Sequence, residues 1–219
     1  MKVVITGTSR GIGAGLVERA LADKHQVLAV ARHPEESSLT KLKSDLLTMV
    51  SADVTDPEAP DKIADAVQKW GRVDILINNA GIFRQGESCE DFQNSFLVNS
   101  IAPFLLTRRL LPYLKESEFP RVASITSLMG SVTDNSSGGY YAYRSSKAAL
   151  NMITKSLSID NPWLTAVVLH PGWVKTDMGG SAAPTSVEES TAGLWRIIDN
   201  LEPKQTGRFF DFRGKELPW

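Results

Sequence analysis

Tyr143 and Lys147 stand four residues apart in the stretch Tyr143-Arg144-Ser145-Ser146-Lys147. In a helix that spacing puts both on one face, within side-chain reach. A phenol in water titrates near ~10 and exchanges protons poorly at neutral pH. An ammonium beside it stabilises the phenolate, so the phenol can trade a proton with an alkoxide. That is the chemistry of putting a proton on a carbonyl oxygen or taking one off. Tyr140 and Tyr141 lie close by, yet neither has a lysine four residues later. The pair alone also describes a solvated helix face, so the surrounding elements decide its meaning.

Those elements alternate. Apolar runs at Lys2–Thr6, Gln26–Ala31, Leu46–Ser51, Val73–Asn78, Arg121–Ile125, Ala166–His170 and Arg208–Asp211 read as strands. Helical periodicity marks Gly11–Lys24, Gln93–Leu114, Tyr143–Ser158 and Ser186–Asn200. Pro103 falls inside the second of these and predicts a kink or break there. Strand and helix alternation predicts an α/β fold, a Rossmann-type doubly wound parallel sheet of about seven strands with helices on both faces. Ligands of such sheets bind beyond the carboxyl ends of the strands.

The first such end carries Thr6-Gly7-Thr8-Ser9-Arg10-Gly11-Ile12-Gly13. Its G-x-x-x-G-x-G spacing is a relative of the dinucleotide fingerprint. Glycines permit a tight turn, and the following helix offers free N–H groups and a positive dipole end to a pyrophosphate. Gly7, Ser9, Arg10, Gly11, Ile12 and Gly13 are therefore candidate cofactor contacts. At the end of the second strand, where an acid would bind ribose hydroxyls, the chain has Ala31-Arg32-His33. Arg32 and Arg10 suit a 2′-phosphate instead, which favours NADP(H) over NAD(H). Asp53-Val54 and Asn78-Asn79-Ala80-Gly81 would line the adenine and ribose side.

Composition narrows the setting. At 219 residues, with 42% hydrophobic and 22% charged content, the chain suits one ordinary globular α/β domain over 1–219. A net charge of −1 points to neither nucleic acid nor an anionic membrane. The lone cysteine, Cys89, cannot form an internal disulfide, which fits a reducing compartment. No apolar stretch reaches the ~18 residues of a membrane span, and a strand-like run from Lys2 leaves no room for a signal peptide. A cytoplasmic protein is expected. No His, Cys and Asp cluster has metal-ligand spacing, so no metal is expected.

Taken together, TGTSRGIG at 6–13, DV at 53–54, NNAG at 78–81, Asn99, Ser127, YRSSK at 143–147 and PGWVKT at 171–176 resemble the short-chain dehydrogenase/reductase family over nearly the whole chain. SSGGYYAYRSSKAALN at 136–151 with PGWVKTDMGG is similar to a narrower branch, the C-factor-like and sniffer-like carbonyl reductases. The resemblance implies that Tyr143 is the general acid and that Lys147 lowers its pKa and binds the nicotinamide ribose. It implies that Ser127, rather than its neighbours Ser124 and Thr126, polarises the substrate oxygen. It gives Asn99 a water linking Lys147 to solvent, though a structural helix amide is the alternative. It also adds Pro171, Gly172, Val174 and Thr176 to the cofactor contacts, and a homodimer or homotetramer through the long helix and the tyrosine helix.

NADPH-dependent reduction of an aldehyde, ketone or quinone-like carbonyl is the leading reading. The alternatives are a 3-oxoacyl-carrier-protein reductase, with Arg108-Arg109 meeting an acidic carrier, and a non-catalytic nucleotide-binding signalling protein. His170 reads as a hydrogen-bonded core histidine. The short segment Asp177–Ser186 predicts a minimal, mobile lid over an open site bordered by Trp173, Met178 and Met129.

Overall fold

Each apolar run becomes a parallel strand in a computed structural model that describes residues 1–219. The strands are β1 (Lys2–Thr6), β2 (Gln26–Ala31), β3 (Leu47–Ser51), β4 (Ile75–Asn78), β5 (Arg121–Ile125), β6 (Thr165–His170) and β7 (Phe209–Asp211). They form one sheet in the order β3-β2-β1-β4-β5-β6-β7. All neighbours pair parallel, β1 with β2 from Lys2 opposite Gln26 and with β4 from Val3 opposite Ile75. The order therefore reverses between β1 and β4, and a crevice opens at their carboxyl ends.

Helices cover both faces. They are α1 (Gly11–Ala22), α2 (Ala59–Gln68), α3 (Cys89–Phe96), α4 (Ala102–Lys115), α5 (Tyr141–Asp160) and α6 (Val187–Asp199). Alternate strand residues serve opposite faces. Val3, Ile5, Val27, Ala29, Ile75 and Ile77 join Leu16 and Val17 of α1 and Leu194 and Ile198 of α6. Val4, Leu28, Leu76 and Val122 join Ile63 and Val67 of α2 and Leu106 and Leu110 of α4. Because both faces are covered, the strands read as continuous apolar runs.

Four elements differ from expectation, the first being α2, which is not among the expected helices. The long helix starts at Cys89, because Ser88 and Asp91 form a capping box with Asp91 N donating to Ser88 Oγ at 3.1 Å. Pro103 neither breaks nor ends it. Instead a π-helical turn, Leu97–Ile101, joins α3 to α4, with Ala102 N–H donating to Leu97 C=O. The wider turn accommodates the proline, which has no N–H for the residue four back. The tyrosine helix begins at Tyr141, after Tyr140 takes a left-handed conformation at φ 51°. No helix is long and apolar enough to cross a membrane.

Candidate active site

The crevice between β1 and β4 is held by side chains of the two motifs that border it. Thr6 Oγ1 accepts from the backbone N–H groups of Asn79 and Ala80, each at 3.1 Å. Asn79 Nδ2 donates to the carbonyls of Thr6 at 2.9 Å and Gly7 at 3.0 Å. Gly7 turns at φ 70°, and a Cβ there would lie 2.7 Å from Ala80 Cα, so only glycine lets the loops meet. A Cβ at Gly13 would lie 2.1 Å from Gly7 O, which fixes how closely α1 returns to its own loop.

The start of α1 is left bare. Its N-cap, Arg10, makes no side-chain cap, and the first turn holds no acid. The free amides of that turn face a cleft of ≈ 690 Å³. Arg10, Arg32, Arg84, Lys147 and Lys175 line this cleft against only two carboxylates, Asp53 and Asp177. A chain of net charge −1 thus gathers cations where a dinucleotide's phosphates would lie. The site fits such a cofactor.

Of the expected cofactor contacts, Gly7, Ser9, Arg10, Gly11, Ile12, Arg32, Asp53, Val54, Asn79, Ala80, Gly81, Tyr143, Lys147, Pro171 and Thr176 line the cleft. Gly13, Gly172 and Val174 stand behind it. Gly172 turns at φ 86° against the Phe212 ring, and Val174 is 4% exposed and bridged to Thr185. Arg10 pairs with Asp177 at 2.8 Å. Burial pushes the Asp53 carboxyl up, but hydrogen bonds from Thr55 and the charge of Arg32 outweigh it and leave the pKa below the ordinary value. Arg84 and Asp177 carried no signal in the glycine motifs and join the cleft only through folding.

The reacting groups meet at the ends of β4 and β5. Ser127 follows β5 and caps a short turn, its Oγ accepting from Met129 N at 3.1 Å. Of its neighbours, Thr126 is spent on Asn151 Oδ1 at 2.7 Å, and Ser124 lies inside the strand at 2% exposure. Tyr143 sits in the first turn of α5, 8% exposed, with Phe83 edge-on at 4.8 Å. Burial pushes its phenol up to about 12, and the Ser127 hydroxyl facing it pulls the other way. Lys147 is buried too, and burial draws it down to about 8. Its Nζ donates to Ile125 C=O at 2.9 Å and stands 5.9 Å from the Tyr143 ring centre. The expected lowering of the tyrosine by the lysine is not what governs the phenol here; desolvation does.

Asn99 lies in the π turn. Its Oδ1 accepts from Ile82 N at 2.9 Å, and its Nδ2 donates to Ile82 O and Ser146 Oγ, each at 3.0 Å. The side chain thus ties the β4 loop to α5. His170 is drawn down to about 4 by burial, and its Nδ1 finds no partner, so it is not the hydrogen-bonded histidine expected. The segment after Thr176 is tied down rather than loose: Trp173 Nε1 donates to Gly179 O at 2.7 Å and Gly179 N to Thr176 Oγ1 at 3.1 Å. Trp173 and Met178 stay about half exposed beside the cleft.

A sequence profile of the short chain dehydrogenase family matches residues 1–186. The chain belongs to this family and is an oxidoreductase of the short-chain dehydrogenase/reductase type. It is similar to the C-signal protein of Myxococcus xanthus, 46% identical over 158 residues, covering 68% of this chain and 94% of that one. The NADPH-bound carbonyl reductase from chicken fatty liver superposes with a TM-score of 0.94 at 35% identity, over 100% of this chain and 98% of that one. The carbonyl reductase Sniffer of Drosophila melanogaster does so with a TM-score of 0.93 at 32% identity, over 100% and 99%. These relatives put the chain in the C-signal and Sniffer-like branch.

Proposed function

We propose that this protein reduces a small aldehyde, ketone or quinone-like carbonyl with NADPH, Tyr143 serving as general acid. The observation that carries the reading is that Tyr143, with the Ser127 hydroxyl facing its phenol and Lys147 beside its ring, lines with Lys147 a cationic cleft that ends on the bare N-terminus of α1. NADPH bound to the chicken carbonyl reductase and NADP bound to one from Pseudomonas aeruginosa support the choice of cofactor, as do Arg10 and Arg32 with no acid at the end of β2. When bound, the cofactor supplies a hydride.

The chain's own residues handle the proton. Ser127 Oγ donates to the substrate oxygen and orients it. Tyr143 Oη gives its proton to that oxygen as charge builds there, because an alkoxide is more basic than a phenolate. The Lys147 ammonium stabilises the phenolate left behind. The Asn99 side chain holds the β4 loop and α5 in register for this step.

Two features weigh on the alternatives. Arg109 is paired with Asp61 and Arg108 lies over the Phe104 ring, which speaks against their serving an acidic carrier protein. The similarity to a protein named C-signal favours a signalling reading in second place. Exposed Leu97, Ile101 and Leu105 on the long helix, with Met152 and Ile159 on α5, support pairing of two copies through these helices.

The test is titration of wild type and Tyr143→Phe with NADPH and NADH, followed by assay on a panel of carbonyls. We expect tight NADPH binding by both proteins and turnover by wild type. The variant should lose turnover by about 10²–10⁴-fold. Equal turnover by the variant would remove Tyr143 from the mechanism. Binding with no turnover by wild type would move the weight to the signalling reading.

A further inference from the structure

At the mouth of the cleft is an ion pair that the proposed proton chemistry does not use. Arg10 Nη1 lies 2.8 Å from Asp177 Oδ2, with side chains 78% and 70% exposed. Arg10 belongs to the glycine loop, and Asp177 to the short segment between β6 and α6. The two segments touch directly beside the pair: a Cβ at Gly11 would lie 3.2 Å from Thr176 Cγ2. Packing of one loop on the other therefore keeps the carboxylate within reach of Arg10.

The second carboxylate in the cleft behaves differently. Asp53 Oδ1 accepts from Thr55 N at 2.9 Å and from Thr55 Oγ1 at 2.7 Å, which fixes it in place beside Arg32. Asp177 has Arg10 as its one side-chain partner. A pair this exposed is held weakly in water. A phosphate monoester carries about −1.5 to −2 charge and three acceptor oxygens, so it is the stronger ligand for a guanidinium.

We propose that Asp177 is a specificity-determining counter-ion: it competes with the cofactor's 2′-phosphate for Arg10 and so limits the preference for NADPH over NADH. The inference rests on the NADPH reading above. Once displaced, the Asp177 carboxylate stays in the same tied segment and repels the phosphate that replaced it. Lost competition and lost repulsion act in the same direction when that charge is removed. The pyrophosphate is common to both cofactors and feels Asp177 in both, so the ratio of the two affinities isolates the 2′-phosphate.

The experiment is calorimetric titration of 2′,5′-ADP, 5′-AMP, NADPH and NADH into wild type, Asp177→Asn, Arg10→Ala and the double variant. Asp177→Asn should bind 2′,5′-ADP and NADPH about two- to fivefold tighter, the range an exposed pair can supply. NADH should change less. The share of the gain that comes from competition should go when Arg10 is alanine, so the gain should be clearly smaller there. It should shrink at high salt, and Asp177→Glu, which keeps the charge, should retain the wild-type ratio. An unchanged NADPH to NADH ratio would overturn the proposal. So would weaker NADPH binding, which would make the pair a strap, or a gain that is undiminished without Arg10. Failure of the underlying reading looks different: wild type would then bind 2′,5′-ADP no better than 5′-AMP, and both would fall together.

Discussion

Burial moves the two partners of the proton step in opposite directions. It pushes Tyr143 up to about 12 and draws Lys147 down to about 8. At neutral pH the phenol therefore keeps its proton and most of the lysine keeps its charge, the forms that carbonyl reduction needs. Raising the pH through about 8 strips the ammonium long before the phenol ionises. The kcat/KM for carbonyl reduction should be level below that point and fall above it. Lys147→Arg should be slower and should lose the falling limb, because a guanidinium does not titrate in this range. The measurement is a pH–rate profile of both proteins; a limb that survives in the variant would assign it to another group. Tyr143 was legible in the sequence because only one of three neighbouring tyrosines has a lysine four residues on. The direction of its pKa was not, since desolvation depends on residues such as Phe83 that only folding brings near.

At the scale of elements, the turn after β5 is bolted to α5. Asn151 of α5 joins both sides, its Oδ1 accepting from Thr126 and its Nδ2 donating to Gly130 O at 3.1 Å. Gly130 lies so close that a Cβ there would stand 2.8 Å from Lys147 Cβ and 2.9 Å from its carbonyl carbon. Gly130→Ala must push the turn off the helix, and Ser127 with it. We expect a loss of about 1–3 kcal/mol in stability, and a fall in kcat larger than the change in NADPH affinity. Urea unfolding and steady-state kinetics check both, and unaltered stability would show that the turn yields freely. The strands were legible because sheets covered on both faces need unbroken apolar runs. The glycine loop was legible because its spacing has a mechanical reason. Helix α2 passed unmarked: its buried face, Ala59, Ile63, Ala64 and Val67, is narrow and starts in a stretch rich in Asp and Pro. The π turn was hidden because Pro103 announces a disturbance without saying which kind. Gly130 carried no signal of its own, since its neighbour Lys147 is distant in sequence.

Across the whole molecule, the sheet separates chemistry from anchoring. The carboxyl ends of the strands carry the cleft, while the opposite end is gathered around Asp74, which is 5% exposed. Its Oδ2 accepts from Lys2 N at 2.7 Å, and its Oδ1 from Ser117 Oγ at 2.6 Å and Arg72 Nε at 3.1 Å. One carboxylate thereby joins β1, the approach to β4 and the turn after α4. Burial pushes its pKa up, but the hydrogen bonds from Ser117 and Lys2 and the charge of Arg72 outweigh it and leave it below the ordinary 3.8. The folded chain therefore holds this proton less readily than the unfolded one. The resulting stability is fully present above 3.8 and is lost as pH falls through the lower folded value. Asp74→Asn keeps the shape but removes the charge and one acceptor. It should cost about 1–3 kcal/mol at neutral pH, with cofactor binding at the far end of the sheet unchanged. On acidification below pH about 4 the gap between variant and wild type should narrow, as the wild-type carboxylate takes up its proton. Denaturant midpoints for both proteins across that range decide the point. A gap of constant size would mean that shape and hydrogen bonding, not charge, account for what Asp74 contributes.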